Sequence, residues 1–457
     1  MIFTLKWLKD FLETDQDVLS IANNLTNLGL EVESVIDRRE ELSQFIIGEI
    51  IHVSPHPNAN KLQICKVDIG NKNEINVICG AKNARKGIKV VFAPCGSKIP
   101  ESSIIIQNTQ IRGVESSGML CSYQELNILV QTDTNNYSGI IEMPSESVVG
   151  SNLINYFDLD DVIFDISITP NRGDCLSVYG IARDLAAKDV GLLKPINHPP
   201  MTMKESDNIK ITILEPNIVP LFSTWNISGI EQTKTPEWIV SRLFKVGIKS
   251  INVVVDVLNY VSHSFGQPMH AYDSDTISSE LQVGHSMEST FIALDEKEYK
   301  LTNKDLVVTS CNKVAALVGI IGSNETKVTN STTNILIESA IVNNEKIATT
   351  GRNLKINTQA RYKFERHVDP NACLLSAQIA VDMISTICKG KFIGAQIIDN
   401  RTKNVYGFVT STGNLLLYDD EVKFLRKIFE KLYANYLLFY AKVYEANITQ
   451  KVLDFEI

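Results

Sequence analysis

The sequence lacks the features that mark a zinc-bound, disulfide-bonded, secreted or membrane protein. Its eight cysteines are scattered singly with no CxxC pair, which argues against a zinc site or a disulfide framework and fits a reducing cytoplasm. No apolar stretch approaches the roughly 20 residues of a membrane span, and residues 1–13 mix charged with apolar side chains, unlike a signal peptide. We therefore expect a cytoplasmic protein without membrane contact, in which the cysteines are small core residues.

Positive charge is also scarce. The 457 residues carry a formal net charge of −9, whereas a protein that binds nucleic acid over its whole surface needs clustered Lys and Arg to neutralise phosphate. Between residues 44 and 98 the balance reverses, with eight basic side chains against three acidic ones. Scattered lysines usually form an ordinary solvated face, so charge alone leaves RNA contact at this segment open.

Length and 44% hydrophobic residues predict about three domains. Asp15 is the predicted cap of a first helix that ends at Gly29. Four β-rich runs follow at 45–53, 62–69, 75–79 and 89–93, and their even spacing predicts a small barrel.

Beyond the barrel the pattern is mixed. We predict strands at 162–168, 305–309 and 334–338, and helices at 176–187, 236–246 and 371–388. Periodicity does not choose between α+β and α/β architecture here. A proline-rich stretch near 193–205 predicts a linker, and an aromatic-rich helical pattern at 419–445 is interpreted as a buried helix face.

Three clusters of sequence are long enough to be compared with the motifs of known families. The first lies in the predicted barrel and comprises HPNANKL at 56–62, VICGA at 77–81 and RGVESSGMLCS at 112–122. The second is DISITPNRGDCLS at 165–177. The third combines 252–260, GQPMHAYD at 266–273, IESA at 337–340 and 362–370.

Together these clusters resemble the β subunit of bacterial phenylalanine–tRNA ligase, from about residue 2 to 400. The resemblance implies an α+β multi-domain fold: a small helical, mixed amino-terminal module (1–39 and 149–192) with an inserted oligonucleotide-binding (OB-fold) β-barrel (40–148). A linker (193–207), a large α/β editing domain of the B3/B4 type (208–400) and a divergent tail (401–457) would follow.

In the family the large domain removes tyrosine wrongly attached to tRNA(Phe). Tyrosine exceeds phenylalanine by one hydroxyl, so a smaller second pocket cannot separate them, and recognition must use a buried polar acceptor. By resemblance Glu338 is that acceptor, and His270 positions water or the tRNA end. The remaining pocket residues implied by the family are Asn259, Gly319, Gly322, Thr358 and Ala360, and the predicted tRNA contacts of the barrel are Lys61, Lys66, Lys82, Arg85, Lys86 and Lys89.

Three positions depart from the family's usual pattern. Leu258 stands where threonine is usual, Lys249-Ser250 where Arg-Pro is frequent, and His367 where glycine occurs. Further family domains and an acidic motif that helps hold magnesium are not recognisable after residue 400, which leads us to expect a truncated chain.

The resemblance also implies partners. The chain would pair with a separate catalytic α subunit, as an α2β2 heterotetramer, and ATP and Mg²⁺ would belong to that holoenzyme. We expect neither ATP nor Mg²⁺ to bind this chain. Phe364-Glu365-Arg366 superficially resembles an ATP motif, but no partner motifs accompany it. Two alternatives remain: a free-standing aminoacyl-tRNA hydrolase, and a non-catalytic tRNA-binding remnant.

Overall fold

The structure is a computed structural model. It describes residues 1–70, 74–128, 139–156, 160–196, 209–287 and 289–401, and the strand residues 408–409 and 415–416. These form a mixed α and β protein with two compact units, residues 1–35 with 164–457 and residues 36–163. Most of the predicted linker and tail, including the aromatic-rich helix, lie outside the described residues. The predicted domain boundaries stay a prediction.

The chain begins with β1 (Ile2–Thr4), α1 (Leu5–Phe11), β2 (Leu12–Glu13), α2 (Val18–Asn27) and β3 (Glu31–Asp37). Asp17 caps α2, since its carboxylate accepts a hydrogen bond from Ser20 N at 2.7 Å. The prediction that Asp15 is the cap is wrong, because the side chain of the residue just before the helix is the one that reaches an unpaired N–H of its first turn. Gly29 ends the helix with φ +79°, as predicted.

The unit of residues 36–163 is built on an antiparallel sheet. Its elements are α3 (Arg39–Leu42), β4 (Ile46–Pro55), β5 (Gln63–Asp68), β6 (Glu74–Cys79), β7 (Lys89–Ala93), β8 (Thr109–Ile111), β9 (Val114–Ser116), β10 (Met119–Leu120) and β11 (Glu142–Met143). The six-stranded sheet has the order β10-β7-β4-β5-β6, and β11 pairs with β7. The four predicted strands are confirmed.

Strand β7 carries apolar side chains on both of its faces, so the sheet is covered on both sides. Val90 and Phe92 pack in one hydrophobic cluster, while Val91 and Ala93 pack in another. Successive side chains of a strand point to opposite faces, so a run of apolar residues without alternation indicates a strand buried on both sides.

The rest of the chain returns to the first unit. Its strands are β12 (Val162–Ser167), β13 (Leu192–Leu193), β14 (Lys210–Ile213), β15 (Leu221–Ser228), β16 (Met269–Asp273), β17 (Glu280–His285), β18 (Ser289–Ile292), β19 (Glu298–Leu301), β20 (Leu306–Ser310), β21 (Lys313–Leu317), β22 (Ile321–Gly322), β23 (Asn334–Ile341), β24 (Lys391–Asp399), β25 (Phe408–Val409) and β26 (Leu415–Leu416). Its helices are α4 (Val178–Ala187), α5 (Glu237–Lys245), α6 (Val253–Phe265), α7 (Asn344–Asn353), α8 (Gln359–Phe364) and α9 (Ala372–Ile387). The predicted strands and helices of this region are confirmed within a few residues.

Two sheets build the large part of this unit. One has the order β16-β23-β15-β24 and is antiparallel throughout, and the other has the order β14-β17-β20-β21-β22 with only β14 and β17 parallel. This pairing favours the α+β alternative over α/β. The smaller sheets are β1-β12-β3, β2-β13, β8-β9, β18-β19 and β25-β26.

The two faces of β23 have different neighbours. Ser339 Oγ donates a hydrogen bond to Cys373 O on α9 at 2.9 Å, so odd-numbered residues face that helix. Leu336 and Ala340 lie on the other face, in a hydrophobic cluster shared with Val308 of the five-stranded sheet. Even-numbered residues of β23 therefore point between the two sheets.

All eight cysteines are free, and six of them are buried. Cys95 and Cys311 are exposed, so the prediction that every cysteine is a core residue is wrong at these two positions. Both lie beside turns, where the chain runs over the surface. Among the described residues, no helix combines the length and apolarity needed to cross a membrane.

Candidate functional site

Glu338 is a buried carboxylate at the centre of the four-stranded sheet. It is 6% exposed, and its direct cross-strand neighbours are Thr224 on β15 and His270 on β16. Its even position on β23 directs it between the two sheets. Burial raises the pKa of Glu338 to about 7, because a low-dielectric environment disfavours the charged form.

Tyr272 occupies part of the hydrogen-bonding capacity of this carboxylate. It lies two residues after His270, on the same face of β16, and its Oη donates a hydrogen bond to Glu338 Oε2. The ring is fully buried. Burial, and then the neighbouring carboxylate, raise the pKa of Tyr272 well above its usual value, so the phenol is a neutral donor.

His270 is a neutral imidazole wedged beside this pair. Its ring meets the Tyr272 ring edge-on, with centroids 4.5 Å apart. Its Nε2 is buried and has no hydrogen-bond partner among the described residues. Burial lowers the pKa of His270 to about 4, so at neutral pH the ring offers one donor and one acceptor nitrogen.

Two of the predicted pocket positions are glycines, and one of them, Gly322, brings backbone close to this cluster. A Cβ built on Gly322 would lie 2.3 Å from Cε1 and 2.5 Å from Nε2 of His270, so the imidazole packs directly on the backbone of β22. Gly319 has φ +65°, and a Cβ there would lie 2.9 Å from Ile347 Cδ1. Both positions require the absence of a side chain.

Thr358 ties the start of α8 to the same turn. Its hydroxyl accepts a hydrogen bond from Arg361 N at 3.2 Å as the helix cap, and it donates to Ile320 O at 2.8 Å. Ala360 follows on α8 and is half-buried. The hydroxyl of Thr358 is therefore engaged in local structure.

The predicted pocket residues are brought together to different degrees. Glu338, His270 and Gly322 are linked through Tyr272 and the imidazole, and Gly319 and Thr358 flank Ile320. Asn259 is half-buried on α6, and no described hydrogen bond joins it to Glu338. One turn further on, Ser262 O accepts a hydrogen bond from Lys363 Nζ of α8 at 2.6 Å.

A small cavity of about 10 Å³ is lined by Thr224, the cross-strand neighbour of Glu338, together with Leu336. A cavity of about 560 Å³ is lined by residues of the other unit, including Cys79 and Ile105. Another, of about 320 Å³, is lined by residues such as Asn171 and Asp369. The predicted room at the carboxylate stays a prediction.

Sequence reasoning did not identify Tyr272 or Thr224 as neighbours of Glu338. The signal for Tyr272 is present in the sequence: positions 270 and 272 of a strand share one face. No comparable local signal exists for Thr224, which is more than a hundred residues away from Glu338 in the chain.

The three departures from the family pattern have clear local environments. Leu258 is 5% exposed and packs as a core residue of α6. Ser250 Oγ donates a hydrogen bond to the buried Asp256 Oδ2 at 2.6 Å. His367 has φ +60°, the left-handed region that glycine adopts most easily.

The predicted tRNA contacts between residues 61 and 89 include side chains with and without an intramolecular partner. Arg85 contacts Glu142 through two nitrogens at 2.8 and 2.7 Å. Lys66 lies 3.3 Å from Glu74, and Lys89 donates to the carbonyls of Ser145 and Ser147. Within the described residues, the remaining three are exposed and have no ion pair: Lys61, Lys82 and Lys86.

One group of possible metal ligands occurs in the described part of the chain. Asp174, Cys175 and Asp184 bring one ligand atom each within 4.8 Å of one another. However, Arg172 pairs with both carboxylates and Arg183 pairs with Asp174. Because these guanidinium groups already neutralise the carboxylates, the donor set does not fit Mg²⁺.

Two family models match the chain. A tRNA binding domain matches residues 45–152, and a B3/4 domain matches residues 218–389. The first covers the six-stranded sheet, and the second covers β23 with Glu338 and His270. The protein therefore combines a tRNA-binding domain with a B3/4 domain.

Curated relatives match a longer part of the chain than either family model does. It is 42% identical over 419 residues to the phenylalanine–tRNA ligase β subunit of Rickettsia bellii, covering 85% of this chain and 48% of the relative. It is 39% identical over 402 residues to that of Rhodopseudomonas palustris, covering 88% of this chain and 49% of the relative. The predicted resemblance to phenylalanine–tRNA ligase β subunits is confirmed, and the chain spans about half the length of the curated relatives it matches.

The solved structures include one amino-terminal fragment of the phenylalanyl-tRNA synthetase β-subunit, from Pyrococcus horikoshii. It is 16% identical, with a TM-score of 0.29, and the match covers 58% of this chain and 76% of that chain.

Proposed function

We propose that the chain contributes tRNA(Phe) binding and hydrolysis of mischarged tyrosyl-tRNA(Phe) to a phenylalanine–tRNA ligase. The observation that carries this proposal is the buried carboxylate of Glu338, opposite His270, which accepts a hydrogen bond from a phenol. A site with a buried acceptor discriminates against a ligand that leaves the acceptor unpaired. Tyrosine provides the matching hydroxyl and phenylalanine does not.

In this proposal each pocket residue has a distinct role. Glu338 accepts the hydroxyl of the tyrosyl group, and neutral His270 positions the attacking water or the tRNA end. Ester hydrolysis needs a placed water and stabilisation of the developing oxyanion, for which backbone N–H groups suffice. The side-chain-free backbone at Gly319 and Gly322 supports close approach, and the pocket is completed by Asn259, Thr358 and Ala360.

The barrel would hold the tRNA backbone. The antiparallel sheet of residues 46–143, covered on both faces, supports assignment to the OB-fold class. Exposed Lys61, Lys82 and Lys86 are the best placed of the predicted phosphate contacts, whereas Lys66, Arg85 and Lys89 would first have to exchange an intramolecular partner.

The synthetic reaction would belong to an α subunit. ATP and Mg²⁺ would serve the assembled cytoplasmic enzyme, an α2β2 heterotetramer, and not this chain.

The direct test is deacylation by the purified chain. We expect it to hydrolyse Tyr-tRNA(Phe) faster than Phe-tRNA(Phe), and we expect Glu338→Ala to reduce the ratio of the two rates roughly 5- to 150-fold, since loss of a buried hydrogen-bond partner is worth about 1–3 kcal/mol. Glu325→Gln is the matched control, because Glu325 is an exposed glutamate of the same unit. Equal hydrolysis of both tRNAs by the wild type would refute the proposal.

A second candidate is a tRNA-binding module without editing activity. The occupation of Glu338 by Tyr272 favours it, because the acceptor is then already satisfied within the chain. In that case the purified chain would bind tRNA(Phe) but would leave Tyr-tRNA(Phe) intact.

A further inference from the structure

The pairing of Tyr272 with Glu338 places two chemically identical groups in competition. If Glu338 recognises the phenol of a tyrosyl ligand, it does so while already bonded to a phenol of the chain. Among the described residues, the hydrogen bond from Tyr272 is the one that reaches the Glu338 side chain. It uses Oε2 and leaves Oε1 for a second donor.

Tyr272 is held firmly in this position. Its ring is fully buried. Tyr272 lies opposite Leu336 on β23, and its ring meets the His270 ring edge-on. The backbone of Gly322 lies directly against that imidazole. A ligand therefore meets Tyr272 as a fixed part of the pocket wall.

The internal phenol changes the energy on which discrimination depends. When phenylalanine occupies a site with a bare carboxylate, the carboxylate loses water and gains no partner, which is the source of strong rejection. Here Glu338 keeps one partner whichever amino acid is bound. The penalty for phenylalanine is therefore smaller than that of an unpaired buried carboxylate.

We propose that Tyr272 is a specificity-determining residue, which weakens the preference of the site for tyrosyl over phenylalanyl groups by keeping Glu338 partly satisfied. This inference rests on the proposed function of the same site. It assigns the selectivity to a triad of Tyr272, Glu338 and the ligand hydroxyl, not to Glu338 alone.

Tyr272→Phe isolates the hydroxyl, because it keeps the ring against His270 and Leu336. We expect the ratio of kcat/KM for Tyr-tRNA(Phe) over Phe-tRNA(Phe) to rise roughly 10- to 150-fold, from the worth of one hydrogen bond to a charged group. In a Glu338→Gln background the same substitution should change the ratio less than twofold. A general structural role of Tyr272 would lower both rates together and would not raise their ratio.

A binding measurement separates this inference from the proposed function. Amide-linked 3′-tyrosyl and 3′-phenylalanyl aminoadenosine analogues resist hydrolysis, so their Kd ratio reports recognition alone. If wild-type protein leaves Tyr-tRNA(Phe) intact but Tyr272→Phe raises the Kd ratio, the proposed function fails and the inference stands. An unchanged or lowered ratio in Tyr272→Phe overturns the inference.

The wild-type protein supplies a second test that does not depend on the variant's folding. A site built to pair a substrate hydroxyl, with no internal partner, reaches discrimination of about 10⁴ or more. We expect the wild-type Kd ratio to stay below about 100-fold. A wild-type ratio near 10⁴ would overturn the inference even if Tyr272→Phe could not be purified.

Discussion

The imidazole of His270 packs directly against the backbone of Gly322. An added Cβ would lie 2.3 Å from Cε1 of the ring, well inside the sum of the van der Waals radii. Because the ring also contacts Tyr272, a displacement of the imidazole is expected to disturb the phenol that is bonded to Glu338.

We therefore expect Gly322→Ala to displace the imidazole. Overpacking of this kind destabilises by about 1–3 kcal/mol, and a misplacement near 1 Å reduces catalysis by about 10²-fold. Both effects are measurable, as the midpoint of denaturant unfolding and as the rate of Tyr-tRNA(Phe) deacylation.

Gly80→Ala is the control for Gly322→Ala. Its Cβ would meet Leu62 Cδ2 at 3.4 Å, an ordinary contact, and no strain is expected. Should Gly322→Ala unfold at the wild-type midpoint with full activity, the close packing of His270 on β22 would be wrong.

At this scale the sequence indicates residue types better than their partners. The GQPMH and IESA motifs pointed to His270 and Glu338, and the structure places them opposite each other. Tyr272 was not predicted as the partner of Glu338, because a hydrogen bond between strands depends on register, and no local pattern encodes the register of distant strands.

Helix α8 is joined to α6 through a buried lysine side chain. Lys363 is 6% exposed, and its Nζ donates to Ser262 O at 2.6 Å and to Ser262 Oγ at 3.2 Å. Burial lowers the pKa of Lys363 to about 7, because the charged ammonium is costly away from water. The contact between the two helices therefore depends on pH.

The sign of this dependence follows from proton linkage. A lysine whose pKa is depressed on folding contributes stability that is present above its unfolded pKa and is lost as pH falls through the folded pKa. Between pH 7 and 9 the unfolded chain holds a proton on Lys363 that the folded chain releases. Stability from this residue therefore rises with pH across that range.

We expect Lys363→Met to remove that rise. From pH 7 to pH 9 the free energy of unfolding of the wild type should rise by about 2 kcal/mol relative to that of the variant. Denaturant unfolding at the two pH values measures it, with exposed Lys304→Met as the control. A pH-independent difference would mean that the buried ammonium stays charged throughout.

The elements themselves were predicted more reliably than their arrangement. Strand β7 has the predicted bounds, because a short apolar run between turn residues is a local signal. The row of His270, Glu338 and Thr224 across β16, β23 and β15 joins segments far apart in the chain. Such pairing follows from burial of the whole sheet and is not encoded by any one strand.

The distribution of charge is a property of the whole molecule. The chain is acidic overall, with a formal charge of −9, so tRNA would be repelled from most of its surface. Lys61, Lys82 and Lys86 are exposed and without an ion pair in the described part of the chain. The basic side chains with intramolecular partners, such as Arg85 on Glu142, are less available to phosphate.

We therefore expect the triple variant Lys61→Gln, Lys82→Gln and Lys86→Gln to bind tRNA(Phe) more weakly. Each phosphate contact releases counterions, so its loss lowers the slope of log K against log salt by about one. The slope should fall by about two to three, measured by filter binding between low and moderate salt. Loss of affinity with an unchanged slope would point to misfolding instead of lost phosphate contacts.

A triple variant of equal charge elsewhere separates local contact from the global field. Lys300, Lys304 and Lys327 are exposed on the large domain, and their replacement by glutamine changes the net charge by the same amount. Because exposed charges more than about 10 Å apart are largely screened at 0.1 M salt, the control should keep the wild-type slope. Equal losses in both variants would mean that net charge governs binding and that Lys61, Lys82 and Lys86 make no specific tRNA contact.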